Sequence, residues 1–406
     1  MAGLLLAGSG MPAAAETMDE WLSGDYATGD WGGMRTQLEE MGITPEITYT
    51  TDILTLLKGG VDDGNGSSYA GRAELNLNFD LEKLFGLQGS RFYIEGAWSS
   101  GQDISARHIG NLFPAAQIFT GNGVRLSEMY FEQNLFDGKV SLALGRMTTE
   151  NDFLASTIYE NYVNGGINGT PFGVPSGQPG FTTNPFTQWG FRADYYPIEQ
   201  IRAAVGIYNA NDEVNANKEH GVDFSLDLDD GVMTVGEVDF LWNQKEEEGG
   251  LPGVAKAGFV YDNGRQPQLP DEETDKGNNY SFYASIEQMV YRESDDPKQG
   301  LTPWAVVTYS PRESLNINPV FVGTGLVYQG LIPTRDDDVA AIGFYYGKVS
   351  NRIEDASSEK LLELAYTAQI TPWFYVRPDF QYIFDPSGDA SIDNAIVFGG
   401  EISIVF

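Results

Sequence analysis

The chain contains no cysteine, so disulfides and thiolate metal centres are unavailable to it. Histidine is almost as scarce, with His108 and His220 the only two. A Ser-His-Asp hydrolase would have to use one of them, and neither stands in a nucleophile-elbow context. No run of about 18 apolar residues occurs, the length a helix needs to cross a bilayer. Basic residues are few, 24 against 58 acids, and the net charge of -34 argues against nucleic acid and anionic lipid surfaces as partners. Gly-rich phosphate loops, zinc-finger spacings and the Rossmann fingerprint are missing as well. Carboxylate pairs for glycoside hydrolysis carry no weight among 58 acids. Together these absences point away from an enzyme and leave no cofactor or metal to expect.

What is plentiful favours strands. Aromatics make up 13% of the chain and glycines number 48, a composition suited to β-structure and turns. Between residues 72 and 81, Ala73, Leu75, Leu77, Phe79 and Leu81 are apolar while Arg72, Glu74, Asn76, Asn78 and Asp80 are polar. Such period-two alternation marks a strand with one oily and one wet face. The tail repeats it: Ile396, Phe398, Ile402, Ile404 and Phe406 share one face, and Ala395, Gly399, Glu401 and Ser403 the other. A strand that ends the chain on an aromatic reads as the closing strand of a barrel. Further candidates are 46–54, 91–98, 125–134, 140–144, 189–195, 201–208, 222–228, 235–243, 255–261, 280–291, 304–309, 319–328, 339–348, 361–370 and 373–384. That makes seventeen segments, some mergeable, and a bacterial outer-membrane barrel is expected to carry an even number. Strands of about 10 alternating residues also explain a mean hydropathy of only -0.27.

The fold class expected is therefore all-β, a transmembrane antiparallel β-barrel preceded by a short helical segment. Residues 1–15 resemble a signal peptide, with Leu4, Leu5 and Leu6 before Ala13-Ala-Ala15. No basic residue precedes that run and the first is Arg35, so the expectation is a start assigned too late; retention of Met1 in the mature protein would sink it. Residues 16–42 form the helical segment, in the periplasm or partly in the lumen, with Asp30 capping Trp31 and Met34, Leu38 and Met41 on one face. Residues 43–406 are the barrel. Tight connections at Asp137-Gly138, Asp229-Asp-Gly231 and Thr371-Pro372 alternate with long polar ones at 151–187 and 262–279, and residues 165–185 suit a loop folded inward over a pore.

Several strings in this order resemble one family. They are Gly29-Asp-Trp-Gly-Gly-Met-Arg35 with Leu38 and Gly42-Ile43, Asp80-Leu-Glu-Lys-Leu-Phe-Gly-Leu87, Ile109-Gly-Asn-Leu-Phe113, Tyr130-Phe-Glu-Gln-Asn134, Thr371-Pro-Trp373 and Arg377-Pro-Asp-Phe-Gln-Tyr-Ile383. They run collinearly over residues 24 to 406 and resemble the carbohydrate-selective porins of the OprB type. The resemblance implies sixteen strands, the outer membrane of a Gram-negative bacterium, and passive diffusion of mono- and oligosaccharides. Implied partners are sugars, the lipid bilayer and the barrel assembly machinery reading the strand that ends in Phe406; monomer and homotrimer stay open. The chain is more acidic than that family leads one to expect, which keeps a cation-preferring or general porin as the alternative. A barrel hydrolase and a secreted carbohydrate-binding β-protein are the remaining readings.

Alternation also names the lumen candidates. Arg72, Glu74, Arg91, Glu95, Glu128, Glu132, Arg192, Asp194 and Arg202 lie on polar faces, where guanidinium forks and carboxylates can exchange hydrogen bonds with hydroxyls. Arg72, Arg91, Arg192 and Arg202 suggest a basic ladder facing an acidic wall; the bland alternative is that these charges pair and brace the barrel. Arg146 falls on the lipid face by phase unless a bulge intervenes, and with such a bulge it is a further lumen candidate. Tyr93 and Tyr208, on polar faces, are stacking candidates, whereas Trp98, Phe92, Trp189 and Tyr195 read as interfacial girdle. The acidic runs at 246–248, 271–273, 295–296 and 336–338 read as solvated extracellular loops rather than calcium sites, since none has EF-hand spacing.

Overall fold

The computed structural model describes residues 17–64, 66–210, 215, 217–245, 249–270, 273–293, 296 and 298–406. The proposed leader, residues 1–15, lies outside them. The first described residues form α1 (Met18–Ser23), closed by a capping box between Thr17 and Glu20, and α2 (Met34–Met41). Asp30 does not cap Trp31: its carboxylate takes the N–H of Thr36 at 2.8 Å, and the helix starts after Gly33. Gly42, at φ +98°, ends α2 where a Cβ would meet the Cβ of Lys83 at 2.9 Å.

Sixteen barrel strands follow. The first eight are β1 (Ile43–Gly60), β2 (Gly66–Asp80), β3 (Ser90–Gly101), β4 (Gly123–Leu135), β5 (Val140–Met147), β6 (Gln188–Ile198), β7 (Ile201–Asn209) and β8 (Val232–Trp242). The rest are β9 (Gly253–Asp262), β10 (Asn279–Gln288), β11 (Gly300–Tyr309), β12 (Val320–Gln329), β13 (Val339–Lys348), β14 (Ser358–Thr371), β15 (Phe374–Phe384) and β16 (Asp393–Val405). Each pairs antiparallel with its sequence neighbours, and β1 closes on β16 with Thr48 opposite Val405. Closure is what lipid demands, because an open edge would leave N–H and C=O groups with no partner in hydrocarbon. The outer face is an apolar belt that includes Leu75, Leu144, Phe191, Phe240, Phe282 and Phe398, all exposed.

The two rims differ. The rim holding α1, α2 and Phe406 carries short connections, such as 136–139, 199–200 and 372–373. The other carries the long ones, at 102–122, 148–187, 210–231 and 263–278. Four expectations change here. The 222–228 segment alternates but joins no ladder. Asp229-Asp-Gly231 is the end of the long 210–231 connection, not a tight turn. The 280–291 strand stops at Gln288, and Tyr291–Arg292 pairs separately with β11. Asp336–Asp338 sits on the short-turn rim, where Asp338 binds Arg335 at 2.7 Å; residues 246–248, 271–272 and 295 lie outside the described ones.

Candidate functional site

Two loop-rim segments turn into the lumen. Residues 102–122 and 148–187 bury Phe113 and Tyr162 against the wall formed by β11, β12 and β13, where Phe113 meets Phe321 edge-on at 5.5 Å and Tyr162 meets Trp304 at 5.6 Å. Polar wall groups fix their backbones. Glu359 accepts from the N–H of Phe113 at 3.0 Å, and Glu363 from Val163 at 2.6 Å and Asn164 at 2.9 Å. Glu128 takes Thr148 N–H at 2.6 Å, and Glu237 takes Leu154 N–H at 2.7 Å. Loop backbone thrust into a barrel loses water, and charged acceptors replace those hydrogen bonds strongly.

What remains open lies against β1, β2, β3, β15 and β16. A cavity of about 470 Å³ is lined there by Arg72, Glu74 and Glu95 to one side of β1 and by Tyr375, Arg377 and Glu401 to its other side along the same wall, with Glu150, Asn168 and Asn184 from the long loop. Its cations are already partnered. Arg72 Nε lies 3.1 Å from Glu74 and Arg377 Nη1 lies 2.7 Å from Glu401. Glu95 accepts from Asn184 Nδ2 at 2.8 Å and from the Tyr93 hydroxyl at 3.1 Å. Tyr375 donates its hydroxyl to Glu401 at 2.8 Å and lies under the Arg377 guanidinium, 4.9 Å from ring centroid to Cζ. The wall thus offers interleaved donors and acceptors with an aromatic ring among them.

Glu150 stands at a junction. It lines this cavity, a second of about 410 Å³ toward the loop rim and a third of about 570 Å³ near Asp239, Lys256 and Glu287. Its carboxylate accepts from the N–H of Asn184. Burial pushes its pKa up to about 7, with the Asn184 hydrogen bond and Arg72 pulling the other way.

The eleven residues named from alternation divide. Arg72, Glu74 and Glu95 line the cavity. Arg91, Glu132, Arg192, Asp194 and Arg202 lie inside the barrel but form a chain of ion pairs along one wall, so the picture of a basic ladder facing an acidic wall is replaced. Arg91 grips Glu132 through two hydrogen bonds at 2.9 and 3.0 Å. Arg192 binds Glu132 at 2.7 Å, Asp194 at 2.8 Å and also Asp152. Arg202 binds Asp194 at 2.6 Å, Glu237 at 2.9 Å and Asp239 at 3.0 Å. Like-signed groups on neighbouring strands would repel, so register sets them opposite partners. Glu128 serves the loop backbone, Tyr93 stacks near Tyr130 at 5.2 Å, and Tyr208 is buried edge-on to Phe153 at 6.4 Å.

Sequence reasoning passed over Tyr375, Arg377 and Glu401 as site residues. All three sit on the polar faces of strands it recognised, so their signal was present. For Glu150, Asn168 and Asn184 none existed, because an irregular loop has no period that says which side chains face a cavity. His108 pairs with Asp62 at 2.5 Å at the loop rim, and His220 takes part in a contact with the Val124 carbonyl; neither lines the cavity.

The profile of the family described as carbohydrate-selective porin, OprB family, matches residues 64–406. Porin B of Pseudomonas aeruginosa is 26% identical over 94% of this chain and 91% of its own length. A putative porin of Acinetobacter baylyi, QuiX, is 25% identical over 94% and 93%. The high-pH structure of Pseudomonas putida OprB superposes with a TM-score of 0.86 at 23% identity, over 95% of this chain and 99% of that one.

Proposed function

Because this chain belongs to the carbohydrate-selective porins of the OprB family, channels of the Gram-negative outer membrane and not enzymes, we propose that it passes mono- and oligosaccharides by passive diffusion. Selection takes place at the cavity lined by Arg72, Glu74 and Glu95 and, across β1 on the same wall, by Tyr375, Arg377 and Glu401. The observation that carries this reading is the pairing of both arginines with carboxylates on the cavity wall. A hydroxyl both donates and accepts, so a wall of paired ions exchanges hydrogen bonds with a neutral polyol at little cost in net charge. Tyr375 supplies a flat face for the apolar side of a pyranose. Contacts must stay weak enough to release, which separate two-partner exchanges allow.

Cation preference is the second reading, favoured by the net charge of -34. Against it, several of the lumenal carboxylates are spent on loop N–H groups and on arginines rather than facing the cavity. Single-channel conductance of the purified protein in a planar bilayer, titrated with glucose and malto-oligosaccharides, decides between them. Saturable block by sugar is expected. Stable conductance with strong cation selectivity and no sugar effect would keep the channel and discard the sugar.

A further inference from the structure

The 210–231 connection does not stay at its own strands. Its described part crosses sideways to β4 and β5, where the Asn215 carbonyl accepts from Arg125 Nη2 at 2.9 Å and the Asn215 side chain from the Thr187 N–H at 3.1 Å, before the segment passes to the outer side. There the Leu126 N–H donates to the His220 carbonyl at 3.0 Å, occupying a stretch of β4 that extends beyond the end of β5. It also covers Arg146. By strand phase that side chain faces lipid, since Val140, Leu142 and Leu144 precede it on the same face, and yet it is only 1% exposed. No bulge turns it inward. Its Nη1 donates to the carbonyls of Gly221 at 2.7 Å and Asp223 at 2.8 Å, and Nη2 to the Thr187 hydroxyl at 3.1 Å. The Phe224 ring lies 5.9 Å from its Cζ.

By taking up an arginine that would otherwise face acyl chains, the segment becomes the outer surface itself. Val222, Phe224, Leu226 and Leu228 alternate along it and are 59%, 47%, 59% and 62% exposed. Phe224 also packs on Trp189, ring centroids 6.3 Å apart. Trp189 is an outward residue at the loop-rim end of β6, level with the Arg146 it opposes on β5. The apolar row is therefore continuous with the lipid-facing belt and lies at the height of an interfacial aromatic. Irregular backbone is not tolerated in the hydrocarbon interior but is at the headgroup level, where water reaches unpaired groups.

We propose that residues 222–228 form an interfacial anchor: an extended clasp on the outside of the barrel whose Val222, Phe224, Leu226 and Leu228 side chains insert among lipid chains at the loop rim. The alternation that reads as a strand in the sequence is then real, its two faces being lipid and the barrel wall instead of lipid and lumen.

The absence of native cysteine makes the test direct. Full-length Phe224→Cys and Leu226→Cys, each carrying a bimane label, are reconstituted in dioleoylphosphatidylcholine vesicles with or without brominated acyl chains. Phe191→Cys reports the lipid-facing wall and Asn351→Cys an aqueous loop. Blue-shifted emission and bromine quenching matching the Phe191 control are expected at both positions. Quenching by aqueous iodide to the level of the Asn351 control, without bromine quenching, would overturn the proposal. So would blue-shifted emission that ignores bromine and disappears as the protein-to-lipid ratio falls, which would assign the row to a second copy of the chain. The Leu226 variant keeps the Phe224 ring over Arg146, so the answer does not depend on one substitution folding.

Discussion

The Arg35 guanidinium ties together the two strands of the barrel seam at one rim: Nη1 donates to the Pro45 carbonyl at the start of β1 at 2.9 Å, and Nη2 to the main-chain oxygen of Phe406 beyond the end of β16 at 2.8 Å. Tyr26 and Trp31 cover it at 3.6 and 4.1 Å, leaving it buried. The helical segment thus works as a staple at the short-turn rim. Arg35→Ala should cost about 2–4 kcal/mol, two charged hydrogen bonds and the cation–π contacts. The temperature at which the heat-modifiable gel band converts should fall while sugar block is unchanged, and Arg35→Lys, without the two-pronged fork, should recover only part.

Arg72 and Arg192 should fail in different ways. Arg72→Ala removes a cavity donor and is expected to weaken sugar block about tenfold or more, the equivalent of one charge-assisted hydrogen bond. Arg192→Ala leaves Glu132, Asp152 and Asp194 short of a buried cation and is expected to cost about 3–5 kcal/mol of stability. Sugar titration in bilayers separates the first from the second, and gel mobility against temperature does the reverse.

Glu363 should control pore width. Glu363→Ala strands the N–H groups of Val163 and Asn164, each costing about 1–3 kcal/mol when left buried and unpaired, and loosens the 148–187 loop. Liposome swelling should then admit longer malto-oligosaccharides than the unaltered channel does. Glu363→Gln keeps an acceptor and should change the cut-off less.

Glu150 should confer a pH dependence centred near 7. With its pKa raised to about 7 from 4.5 by burial, the carboxyl is neutral below that pH and anionic above it. Arg72, Glu74 and Glu95 on the wall and Glu160 on the loop share its cavity. The potassium-to-chloride permeability ratio should therefore drop as pH falls through about 7, and Glu150→Gln should flatten that step. The stability sign follows the same shift: the folded state holds the proton more tightly, so this group's contribution is full below pH 4.5 and is lost as pH rises through about 7. Glu150→Gln should accordingly raise the conversion temperature at pH 8 and leave it unchanged at pH 4.

The strand faces were legible because a barrel wall separates two solvents, and period-two alternation records that separation residue by residue. From it Arg72, Glu74 and Glu95 could be set inside and Leu75, Phe398 and Ile404 outside without coordinates. Arg146 shows the limit of the same rule. The bulge that would have made it a lumen residue is absent from its pairing with β4 and β6, so it points outward as its phase requires, but phase says nothing of a loop arriving from β7 to cover it.

By itself the sequence determined the all-β class, the barrel, the two unlike rims and the inward charges, since each is a local consequence of which solvent a residue meets. Tertiary structure alone decided which charges reach the cavity. Glu132, Arg192 and Arg202 face inward as Arg72 does, yet strand register sets them against one another and the folded-in loop covers them. Glu150 and Asn184 come to the cavity because wall carboxylates hold that loop in place. Pairing across strands and the path of an irregular loop depend on contacts between residues far apart in the chain, and no local period encodes those.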